Sequence, residues 1–72
     1  MTNRTIRYTE DNTEGFTQAG LDTLNEAYNQ IIAMIGHEDE QIASSVGDLL
    51  NNAWIEGITA DELVRKVAPA FV

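Results

Sequence analysis

The sequence predicts an all-α fold: a small three-helix bundle with an extended N-terminal arm, all in one domain. Three observations carry this. Residues 17–36 hold a long amphipathic stripe, residues 39–57 hold a second, and residues 59–62 spell a helix start. With 72 residues the chain buries only roughly 60% of its unfolded surface, so the core is small. It has no cysteine, so no disulfide supplements that core.

Residues 1–16 read as arm and turn. Thr5, Ile6, Arg7, Tyr8 and Thr9 are β-prone, with Ile6 and Tyr8 on one side and Arg7 on the other. A lone strand cannot make a sheet, so the arm is expected to lie along its own bundle. Glu10 to Gly15, EDNTEG, is turn chemistry.

Helix 1 is placed at 17–36. Leu21, Leu24, Tyr28, Ile31 and Ile35 recur at helical spacing, with Ile32 beside them, and form one apolar face. Asp22, Glu26, Asn29, Gln30 and Ala33 lie opposite. Thr17 suits the N-cap because its hydroxyl can accept from a free first-turn amide. Phe16 and Leu21 are spaced for a hydrophobic staple. Gly36 can take the left-handed conformation that ends a helix.

Helix 2 is placed at 39–57. The acids of His37-Glu38-Asp39-Glu40 suit the positive end of its dipole. Ile42, Val46, Leu49, Leu50 and Ala53 make its stripe, and Gly57 is expected to stop it. Ala43 and Gly47, one turn apart, allow close approach of another helix.

Helix 3 is placed at 59–68. Thr59 and Glu62 form a capping box, and Ile58 with Leu63 repeats the staple. Pro69 lacks an amide hydrogen and ends the helix, leaving Phe71 to fold back as a lid. Glu14-Gly15-Phe16-Thr17 and Glu56-Gly57-Ile58-Thr59 echo one another, each a turn followed by a staple residue and a cap.

Charge narrows the function classes. Twelve acids face four bases, for a formal −8, and all the acids lie between Glu10 and Glu62 with no base among them. Such a segment repels nucleic acid and anionic membranes and attracts basic protein surfaces. DNA binding draws most of its affinity from neutralised phosphates. A helix-turn-helix reading of helices 2 and 3 therefore fails, since the second helix offers only Arg65 and Lys66. No apolar run reaches the ~20 residues of a membrane span. The first residues lack a secretory core, so a cytoplasmic location is expected.

No cofactor, metal or catalytic site is expected. His37 is the only histidine, and its neighbours Glu38, Asp39 and Glu40 point in successive directions rather than at one ion. A calcium loop over 10–21 would end on Leu21 where a glutamate is needed. Ser44 and Ser45 fall inside helix 2, not on an exposed elbow. In size, acidity and helices the chain is similar to an acyl carrier protein. That family's Asp-Ser-Leu attachment motif is absent, however, since Ser45 lies between Ser44 and Val46.

Two binding readings remain. Trp54 sits at the edge of the helix 2 stripe and Ile55 about opposite it, so Trp54, Ile55 and Phe71 are expected to anchor a protein partner or a homodimer. Alternatively, Glu10, Asp11, Glu14, Asp22, Glu26, Glu38, Asp39 and Glu40 imitate DNA phosphates and block a nucleic-acid-binding protein, as small phage-encoded inhibitors do.

Overall fold

A computed structural model describes residues 8–9 and 15–71. Its described residues form three α-helices and no strand: α1 (Gln18–Ile35), α2 (Glu40–Ala53) and α3 (Ala60–Val67), followed by a 3-10 turn, Ala68–Ala70. Each helix packs on the other two, which makes a three-helix bundle. Of the expected arm, only Tyr8 and Thr9 lie within the described residues; the strand pattern at 5–7 and the turn at 10–14 lie outside them.

Each helix begins on a side-chain cap. Thr17 Oγ1 accepts from the Gly20 amide at 3.1 Å, Asp39 Oδ1 from Ile42 at 2.8 Å and Thr59 Oγ1 from Glu62 at 3.2 Å. These bonds satisfy amides that have no partner within the helix. The Glu62 side chain also meets this cap, its Oε1 accepting from the Thr59 hydroxyl at 3.2 Å rather than from the backbone amide of a full capping box. Gly36 ends α1 at φ 93°, and its amide donates to the Ile32 carbonyl. The echo noted in sequence is conformational as well: Gly15 (φ 97°) and Gly57 (φ 85°) both take positive φ two residues before a threonine cap.

The core comes from every element. Leu21, Leu24, Ala27, Tyr28 and Ile31 of α1 meet Val46 and Leu50 of α2, Leu63 and Val67 of α3, and Ile58 of the connecting loop. Tyr8 joins them at 4% exposure. Its ring stands edge-on to Tyr28, with centroids 6.4 Å apart, and its hydroxyl donates to the Gly47 carbonyl of α2 at 3.3 Å. The Tyr28 ring is fully buried and its hydroxyl donates to Glu38 Oε2 in the α1–α2 loop. Both tyrosines therefore bury an apolar body and give the polar tip a partner.

Two expectations for α2 are corrected. The helix stops at Ala53 and not near Glu56, because Trp54 turns extended (φ −61°, ψ 132°) after donating its amide to Leu50. Gly57 serves instead in the turn Ile55–Ile58, closed by the Ile58 amide on the Ile55 carbonyl at 3.1 Å. Positive φ at the third position is what a type II turn requires there. Leu49, expected in the stripe, is 36% exposed. The buried residues of α2 are Val46, Gly47 and Leu50, which turns its inward face about 60° from the stripe read in sequence, at 100° per residue. Gly47, expected to admit another helix, is instead approached by the Tyr8 hydroxyl.

Candidate functional site

The end of α2 and the start of α1 meet around a surface groove. Once Trp54 leaves the helix, its indole lies across the first turn of α1. A Cβ placed on Gly20 would sit 3.1 Å from Trp54 Cζ2 and 3.2 Å from Cη2, so glycine lets the ring lie closer than a methyl would without a small shift. Phe16 flanks it, with ring centroids 5.5 Å apart and planes tilted by 60°. Tilted pairs of this kind suit the opposed charge of ring face and ring edge.

Gly15, Phe16, Thr17, Trp54 and Glu56 line a partly open groove of about 310 Å³ beside this pair. Two aromatic rings supply its apolar surface, and Glu56 is the charged wall among its described residues. Next to it Ile55 is 56% exposed, the most of any large apolar residue described; Met34 follows at 48%.

The three residues expected to anchor a partner are therefore placed differently. Ile55 is open to solvent at the head of the Ile55–Ile58 turn. Trp54 is half-buried, packed against Phe16 and the start of α1. Phe71 is half-buried on the core, with its amide donating to Ala68 at 2.9 Å, which is the lid position expected of it. Ile55 does not lie opposite a helical stripe, because it is not in the helix.

Of the acidic set, Glu10, Asp11 and Glu14 lie outside the described residues. Asp22, Glu26, Glu38, Asp39 and Glu40 are all exposed, as are Asp48, Glu56, Asp61 and Glu62. Three of the first five have structural work. Asp39 caps α2, Glu38 accepts from Tyr28, and Asp22 accepts from Gln18 at 3.0 Å. Among the described residues no group of three or more His, Cys, Asp or Glu converges as metal ligands, and no helix is long and apolar enough to cross a membrane.

Sequence reasoning missed Phe16 as a wall of the groove and Gly20 as the residue on which Trp54 packs. Gly20 did carry a signal. A glycine inside a helix weakens it by roughly 1 kcal/mol relative to alanine, and its presence there marks a close approach. The chain matches no protein-family model, no curated protein and no solved structure.

Proposed function

We propose that the chain is a small, non-catalytic protein-interaction module that acts in the cytoplasm and engages a protein partner through Ile55 and the Trp54 groove. The exposure of Ile55 carries this reading. It is β-branched, 56% exposed, and held in a hydrogen-bonded turn beside an ordered aromatic pair. An apolar side chain on a preorganised turn gives up little entropy on binding, which favours it as an anchor. A 310 Å³ groove alongside offers a partner side chain somewhere to go.

A second reading is an acidic decoy for a nucleic-acid-binding protein. The exposure of all nine described carboxylate side chains supports it. It ranks second because capping, tyrosine pairing and a helix-surface contact already account for Asp39, Glu38 and Asp22.

Salt separates the two. The test is capture of partners from nuclease-treated host lysate at low and high salt. Interaction through Ile55 predicts a protein retained at both. A decoy predicts a nucleic-acid-binding protein lost as salt rises, because its carboxylates act through screened fields. Recovery of the chain alone, with a doubled mass in solution, identifies a homodimer.

A further inference from the structure

Resting on that interaction reading, we infer that the groove accepts a cationic side chain, arginine or lysine, from the partner. Three observations converge. The walls are two aromatic rings, Phe16 and Trp54, and the faces of such rings carry the negative part of their quadrupole. Among the described residues the one ionisable lining residue is Glu56, a carboxylate. The surrounding surface carries the same sign, since the chain has a formal charge of −8 and every described carboxylate side chain is exposed.

An aliphatic stem with a cationic tip fits this arrangement end to end. The stem lies along the rings, as long basic side chains do on apolar surfaces, while the tip reaches Glu56. A guanidinium can also stack flat on an indole and still donate to a carboxylate. An anionic occupant meets Glu56 and the surrounding field with repulsion. A purely apolar one leaves Glu56 without a partner. The favoured partner segment therefore sets a basic residue beside an apolar one, the first for the groove and the second for Ile55.

Trp54 is the only tryptophan, so its emission reports on the groove directly. The probe is acetyl-Leu-Arg-Leu-amide, compared with acetyl-Leu-Gln-Leu-amide, titrated into the full chain at physiological salt. The expected result is a saturable change in Trp54 emission, with the glutamine peptide at least about threefold weaker. Glu56→Gln is expected to weaken the arginine peptide about three- to tenfold. Asp48→Asn removes the same charge from exposed α2 surface that does not line the groove, and is expected to change binding less than about twofold.

Equal affinity for both peptides, equal losses in Glu56→Gln and Asp48→Asn, or silent Trp54 emission would each overturn the cationic occupant. Emission that depends on protein concentration before any peptide is added would assign the groove to a second copy of the chain, and would overturn a separate partner. If the peptides fail while a lysate partner is still lost on Ile55→Asp, the cation assignment falls and the interface stands.

Discussion

The side chain of Asn25 pairs with both backbone polar groups of Tyr8. The Tyr8 amide donates to Asn25 Oδ1 at 2.8 Å, and Asn25 Nδ2 donates to the Tyr8 carbonyl at 2.9 Å. One side chain thus does what a neighbouring strand would do, and Tyr8 is fixed where its ring fills the bundle. The Asn25 carbonyl in turn accepts from Asn29 Nδ2 at 2.8 Å.

This pairing predicts that Asn25→Ala destabilises the fold by about 1–3 kcal/mol, because two backbone groups lose their partners in a half-buried place. Thermal unfolding followed by circular dichroism measures it. At roughly 4–8 °C per kcal/mol for a domain of this size, the drop is easily seen. An unchanged midpoint would mean that the Asn25 bonds add no net stability.

Tyr8 separates ring from hydroxyl. Tyr8→Phe keeps the edge-on contact with Tyr28 and removes the bond to Gly47, so it should cost about 1 kcal/mol. Tyr8→Ala empties a core position and should cost about 3–5 kcal/mol. Chemical denaturation of both variants gives the difference, and equal losses would contradict it.

Gly20→Ala opposes two effects. Alanine gains up to about 1 kcal/mol of helix propensity, but its methyl presses on Trp54. Trp54 lies outside any helix and is half-exposed, so the ring can yield. The expected result is a small change in stability, within about 0.5 kcal/mol, together with a shifted Trp54 emission maximum. A stable variant with unaltered emission would show that the indole does not lie over Gly20.

Gly36→Ala isolates backbone strain, because nothing lies within 4 Å of the added methyl. Holding alanine at φ 93° should cost about 1–2 kcal/mol, and Gly36→Asn less. Comparing their unfolding midpoints tests this. Equal midpoints for wild type and alanine would contradict it.

Two helix starts were legible because capping is local: Thr17 and Thr59 each bond an amide three residues on, and that spacing is visible in sequence, whereas Asp39, read only as an acid suited to the dipole of α2, proves to be its cap. So was the buried face of α1, since five large apolar residues at helical spacing outweigh any neighbour. The end of α2 was not. Outside the helix Trp54 packs on the Phe16 ring just before α1 and on Gly20 within it, more than thirty residues away in sequence. The rotation of α2 was hidden for a similar reason. Its inward face centres near a glycine, and its neighbour there is Tyr8, which propensity cannot place. The groove was half legible: Trp54 and Ile55 stood out as large apolar residues near a helix end, while Phe16 looked like no more than a staple.

The most direct measurement is capture of a lysate partner at high salt by wild type and Ile55→Asp, with thermal unfolding of both. Ile55 is exposed, so the variant should unfold within about 0.5 kcal/mol of wild type. An interface centred on Ile55 predicts that it loses the partner, by tenfold or more at about 1.4 kcal/mol per decade. A folded Ile55→Asp variant that captures the partner as well as wild type does would contradict it.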